Sequence, residues 1–213
     1  MLWLVLMHPN LSCFVSMVNR YMSNPWKVYW QVVKKILRYL RGTSILGLLY
    51  GDGSIEHGVV ESFVDSNFGG NVDKRRSLTG YVFTPWESAI SWKANLQSIV
   101  AFSSTKEKYI VATKAVKEYL WLKGMINDLG INQKAMTIHY DSQSAIHLMK
   151  NRVYHERTKH IDVRMHFVWD ILAQGFVLMK KICTKSNIAD MLTKVLPSNK
   201  FRLFLSLIGV VQE

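Results

Sequence analysis

The feature that most constrains the fold is a change of hydrophobic period near residue 46. Before it, apolar residues recur at helical spacing. After it come four short β-like runs, 46–50, 59–65, 79–84 and 89–92. Gly51-Asp52-Gly53, Gly69-Gly70 and Pro85 punctuate them, as expected of residues that end strands. The last three runs predict an antiparallel meander. Helical spacing then returns over roughly 105–129, stopped by Gly130, with Ser104 and Glu107 at capping-box spacing. Alternation follows: a strand over 136–141, a short helix over 143–150, a helix over about 161–173 and a strand over 176–183. A helix capped by Asn187 through 196 and a last helix over about 200–208 complete the pattern. Three meander strands followed by alternating elements predict an α/β fold, a mixed five-stranded sheet flanked by helices.

Charge separates the N-terminal segment from the rest. Residues 1–50 contain no Asp or Glu and six basic residues, Arg20, Lys27, Lys34, Lys35, Arg38 and Arg41, so they supply +6 of the net +12. Pro9-Asn10 opens a helix over 11–22, and Asn24-Pro25 opens a second over 26–40, stopped by Gly42. Val32, Val33, Ile36, Leu37 and Leu40 form its apolar stripe, with Lys34, Lys35, Arg38 and Arg41 mostly off it. That face either meets solvent or touches phosphates. The overall balance fits a polyanion, nucleic acid or an anionic membrane surface. An apolar content of 49% excludes a disordered chain. Two distant cysteines, Cys13 and Cys183, form no disulfide framework and point to a reducing compartment. No apolar run has the length of a membrane span, and the first seven residues lack the marks of a secretory signal.

Three aspartates carry the chemistry. In VVESFVDSNFGG, Val60, Ser62 and Val64 share one strand face, and Val59, Glu61, Phe63 and Asp65 share the other, with Asp65 expected at the strand end. Asp141 ends the 136–141 strand, and Asp190 lies in NIADMLTK. Taken singly they read as a turn former, a helix N-cap and an acid near a helix start. Gathered at one sheet edge they would repel one another unless they held divalent cations. Two Mg²⁺ ions about 4 Å apart clamp the attacking and leaving oxygens of a phosphodiester.

The stretches FVDSNFGGNVDKRRSLTGYVFT, AISWKANLQSIVAFSSTKEKYIVAT, IHYDSQSAIHL, RTKHIDVRMHF and NIADMLTK resemble the ribonuclease H domain of copia-type long-terminal-repeat retrotransposon Pol polyproteins. MHPNLSCFVSMVNRYMSNPWKVYWQVVKKILRYLRGT resembles the segment that closes the reverse transcriptase just upstream. The resemblance implies a ribonuclease H-like domain over 46–213, preceded by a helical remnant of the reverse transcriptase over 1–45. It implies an endonuclease that cuts the RNA strand of an RNA–DNA hybrid. An Asp-Glu-Asp-Asp set would hold two Mg²⁺, with Mn²⁺ as a substitute; Asp65, Asp141 and Asp190 match its first, third and fourth acids. The implied partners are the hybrid and the rest of the Pol polyprotein, with no membrane. The implied location is the cytoplasm, in retrotransposon particles, or the nucleus. The polymerase palm is missing from this sequence, so DNA synthesis is not expected of it.

The sequence departs from that pattern at the second acid, where Lys108 stands in Lys106-Glu107-Lys108. The local charge moves by two units, and unit charges about 4 Å apart interact by roughly 4 kcal/mol at an effective dielectric near 20. Cleavage is therefore expected to be impaired. Glu107 lies about 100° around the helix from Lys108 and is read as a cap rather than a substitute. Asn67 stands where the family commonly has Asp, and Thr184-Lys185-Ser186-Asn187 stands where cellular ribonucleases H carry a His. Lys74, Arg75 and Arg76 in one loop, and Arg152, Arg157, Lys159 and Arg164 around His160, suit a nucleic-acid backbone. With no Cys at ligand spacing, His160 fits capping or phosphate contact better than zinc. The alternative function is a non-catalytic nucleic-acid-binding remnant of a decayed element.

Overall fold

The elements form where apolar spacing lets one face meet a partner. In the computed structural model, residues 8–50, 60–71, 73–101, 103–131, 135–150 and 162–212 are described, with backbone alone for Trp86 and 162–165. A 3₁₀ turn at Pro9–Leu11 leads into α1 (Ser12–Asn19), α2 (Lys27–Gly42) and β1 (Leu46–Leu48). The meander is β2 (Glu61–Asn71), β3 (Arg76–Thr84) and β4 (Ser91–Leu96). Next come α3 (Ser104–Asp128), β5 (Met136–Tyr140), α4 (Gln143–Lys150), α5 (Asp162–Ala173) and β6 (Val177–Lys181). After a 3₁₀ turn at Ile188–Leu192, α6 (Ser198–Leu207) and β7 (Val210–Gln212) close the described chain.

The main sheet has the order β4-β3-β2-β5-β6. Its meander half is antiparallel, and β2–β5 and β5–β6 are parallel. This is the expected α/β architecture, a mixed five-stranded sheet flanked by helices. The period-two reading of β2 holds over residues 60–65. Val60 and Val64 pack against Val111, Ala112, Ala115 and Val116 of α3. Phe63 turns to the opposite face, with Val82, Ala94, Ile188, Leu192 and Phe204.

Several boundaries differ from the sequence reading. β2 does not stop at Asp65. Its pairing continues through Asp65↔Gly80, Ser66↔Thr79 and Asn67↔Leu78, then shifts register to Asn71↔Arg76. The Gly-Gly pair marks this bulge rather than a strand end, with Gly69 at φ 60 supplying the conformation. β4 begins two residues late because a turn at Pro85–Glu87 comes first and Ala89 N donates to Ile208 O at 2.9 Å. β1 lies outside the main sheet and pairs antiparallel with β7, Leu46 opposite Gln212. Gly209, at φ 78, makes the turn into that unforeseen strand. The N-cap of α3 is Ser103, whose side chain accepts from Lys106 N, so Ser104 and Glu107 form no capping box.

Of the N-terminal helices, α1 packs on the sheet side of the molecule and α2 packs on α1. Cys13 of α1 joins the cluster of Ile188, Met191 and Phe204, while Leu11, Val15 and Val18 pack with Ile36 of α2. Among the described residues no helix is long and apolar enough to cross a membrane.

Candidate active site

The site is built on the middle of β2. Asp65 faces Gly80 across the β2–β3 ladder. A Cβ at position 80 would lie 2.6 Å from Thr193 Cγ2 and 3.0 Å from Leu192 Cβ. Glycine there lets the Ile188–Leu192 turn rest directly on the sheet. Asn187 fastens that turn: its Nδ2 donates to Val64 O at 2.9 Å and its Oδ1 accepts from Ala189 N at 3.2 Å. Asp190 therefore sits on a tight 3₁₀ turn rather than on the expected helix. Asn67 Nδ2 donates to Thr193 O at 3.3 Å, so the amide at that position braces the turn.

The turn brings Asp65 and Asp190 together around one ammonium. Lys194 Nζ lies 3.1 Å from Asp65 Oδ2 and 2.7 Å from Asp190 Oδ1. Lys200 Nζ lies 3.2 Å from Asp190 Oδ2, and Thr193 Oγ1 donates to Asp65 Oδ2. Burial pushes the Asp65 carboxyl up; Lys194 and the Thr193 hydroxyl oppose this, and the Asp190 charge reinforces it. Burial also pulls on Lys194, in the downward direction, but the charges of Asp65 and Asp190 with their hydrogen bonds outweigh it and leave this lysine raised.

Asp141 follows directly on β5, which runs parallel to β2 with Tyr140 beside Val64. Lys108 Nζ lies 2.7 Å from Asp141 Oδ1. The Tyr140 hydroxyl donates to Lys108 O, tying the first turn of α3 to β5, and Lys181 Nζ donates to Asp141 O. Glu107 is 1% exposed and points elsewhere: Ser66 Oγ donates to its Oε1 at 2.9 Å. Burial raises its carboxyl; the Ser77 and Ser66 hydroxyls and Lys108 oppose the rise, and the Asp65 charge adds to it.

These donors do not fit the two-cation set that the resemblance implies. The second carboxylate is an ammonium salt-bridged to Asp141, and Asp65 and Asp190 are bridged by Lys194. Among the described residues no three His, Cys, Asp or Glu side chains gather into a set that could hold a metal ion. Sequence reasoning missed Lys194, Lys200 and Thr193 and read Asn187 only as a cap; the i,i+4 spacing of Asp190 and Lys194 was the one signal for the lysines. Lys74, Arg75 and Arg76 lie on the β2–β3 hairpin, with Lys74 and Arg75 exposed. Arg152, Arg157, Lys159 and His160 lie outside the described residues, and Arg164 is described by its backbone on α5 alone.

No family model matches the chain. The chain is 44% identical over 207 residues, 97% of its length, to the Retrovirus-related Pol polyprotein from transposon TNT 1-94 of Nicotiana tabacum. It is 30% identical over 211 residues, 99% of its length, to the Retrovirus-related Pol polyprotein from transposon RE2 of Arabidopsis thaliana. It spans 15% and 14% of the lengths of these two relatives. Among solved structures, LC11-RNase H1 isolated from compost is similar over 63% of this chain and 92% of its own, at 15% identity and a TM-score of 0.49. Over nearly its whole length the chain is homologous to Pol polyproteins of copia-type retrotransposons.

Proposed function

We propose that residues 46–213 are the ribonuclease H domain of a retrotransposon Pol polyprotein that grips an RNA–DNA hybrid, and that Lys108 blocks hydrolysis in this copy. Residues 1–45 are then the closing segment of the reverse transcriptase. The observation that carries this reading is the Lys108 ammonium 2.7 Å from Asp141 Oδ1. A glutamate at position 108 would instead bring a fourth carboxylate to Asp65, Asp141 and Asp190. That set would hold Mg²⁺ or Mn²⁺, whose chemistry is to stabilise charge on a phosphodiester. Lys194 and Lys200 are ion-paired with Asp65 and Asp190. Lys74, Arg75, Arg76, Arg152, Arg157, Lys159, His160 and Arg164 are the proposed backbone contacts.

The test is cleavage of a labelled RNA–DNA hybrid with Mg²⁺ or Mn²⁺ by the native chain and by Lys108→Glu. The expected result is no product from the native chain and measurable product from the variant, abolished again by Asp141→Asn. Cleavage by the native chain, lost in Asp141→Asn, would overturn the block at Lys108. A second reading, a binder that has lost catalysis altogether, shares the same lysine contacts. It predicts that Lys108→Glu stays silent while hybrid affinity persists in EDTA and falls steeply with salt.

A further inference from the structure

Outside the carboxylate site, the structure joins two basic elements that are distant in sequence. On α2, Lys27, Lys34, Arg38 and Arg41 are all exposed. At 3.6 residues per turn they fall within roughly 60° of the helix circumference and spread over about 21 Å of its axis. Trp30 borders the same stripe, 58% exposed, and Trp26 just before the helix is 69% exposed. The second element is the tip of the β2–β3 hairpin, where Lys74 and Arg75 are exposed.

Tyr21, in the link between α1 and α2, holds the two together. Its ring stacks on Tyr29 of α2 with centroids 4.2 Å apart, and its hydroxyl donates to Asp73 Oδ2 at 2.8 Å. The phenol is pushed up to about 12, chiefly by that hydrogen bond. Tyr21 thus does two things. It brings the hairpin to the start of α2, and it engages Asp73, the one carboxylate within 71–76. Residues 8–50 carry no acidic side chain to oppose the charge. The surface that results is basic on balance, with Asp73 hydrogen-bonded to Tyr21, and is lined by exposed indoles.

We propose that this α2–hairpin surface is one continuous nucleic-acid track, on which α2 extends the hairpin's contacts along the phosphate backbone of a duplex. The occupant follows from charge complementarity: a row of cations along α2, a helix with no acidic residue, matches a linear polyanion, and indoles beside it pack on sugar or base faces. The proposal rests on the function proposed above only in taking the hybrid as the natural ligand.

The test is binding of a labelled 20-base-pair RNA–DNA hybrid to the full chain in EDTA across a salt series, so that cleavage plays no part. Lys34→Gln/Arg38→Gln/Arg41→Gln should weaken binding by about tenfold or more and make the slope of log affinity against log salt shallower by about 2–3. A charge-matched control near the opposite sheet edge, Lys117→Gln/Lys123→Gln/Lys180→Gln, should change affinity less than about twofold. Lys74→Gln/Arg75→Gln tests the hairpin half independently and should flatten the slope by about 1–2. Tyr21→Phe keeps the stack but unties Asp73, so that the hairpin is no longer held at the start of α2, and should weaken binding. Equal losses in the helix triple and the control would overturn the proposal. So would hybrid binding kept by the helix triple while binding to phosphatidylserine vesicles is lost, which would make this a membrane face. A silent cleavage assay leaves these outcomes untouched.

Discussion

Two neighbouring residues at the start of α3 show how one position of offset changes the chemistry. Lys108 presents an ammonium to Asp141, whereas Glu107 is walled in against Ser66. The Glu107 carboxyl is raised above its ordinary value of 4.5, first by burial. The folded state therefore keeps a proton that the unfolded chain has already released, and stability falls as pH rises from 4.5 into the raised range. Asp65 acts with the same sign from 3.8 upward. Glu107→Gln removes one titrating group, so the loss of thermal midpoint between mildly acidic and neutral pH should shrink. Midpoints at several pH values check this, and a pH dependence equal to that of the native chain would contradict the burial argument. The sequence made Asp65, Asp141 and Lys108 legible, because their motifs are ordered and specific. It misread Glu107 as a cap, since a capping box and a buried carboxylate share the same spacing, and only the Ser66 hydroxyl across the sheet decides between them.

At the scale of elements, the long period-consistent stretches were readable and the short ones were not. α3 and the strands of the main sheet carry enough residues for their spacing to speak. A three-residue strand such as β7 carries no period, and its pairing with β1 depends on a partner more than 160 positions away. The turn bearing Asp190 was read as a helix because an Asn cap looks the same before either. What makes it a 3₁₀ turn is the sheet beneath, and Gly80 is where that support can be tested. Gly80→Ala would place a methyl 2.6 Å from Thr193 Cγ2 and 3.2 Å from Ala189 O, forcing the turn off β2. Overpacking of this kind costs about 1–3 kcal/mol, to be read as a lowered thermal midpoint. Asn187→Ala acts on the same turn by another route. It strips the buried Val64 O of its side-chain donor, 2.9 Å away, and should cost about 1–3 kcal/mol. Because both changes loosen one turn, their double variant should fall short of the sum of the singles.

Across the whole molecule, the question is whether the N-terminal helices unfold with the sheet or apart from it. The sequence treated them as an appendage, because nothing in their pattern reveals what their second face covers. The structure has Cys13 of α1 inside the cluster of Ile188, Met191 and Phe204, the group that also roofs the sheet beneath Asp190. The β1–β7 ribbon clamps the chain between α2 and β2 to the segment after α6. The two cysteines turn this into a measurement, since Cys183 is exposed and Cys13 is buried. Burial also pushes the Cys13 thiol up from its ordinary value of 9.0, with Arg20 opposing the rise, so little of it is thiolate. A thiol-reactive probe should therefore label one cysteine at once. The second should react at the rate of global unfolding, accelerated by denaturant along the same limb as tryptophan fluorescence. If Cys13 instead reacts while the fluorescence transition has yet to begin, α1 opens as a separate unit. The basic face of α2 would then be tethered to the main sheet by the β1–β7 ribbon and the Tyr21–Asp73 contact.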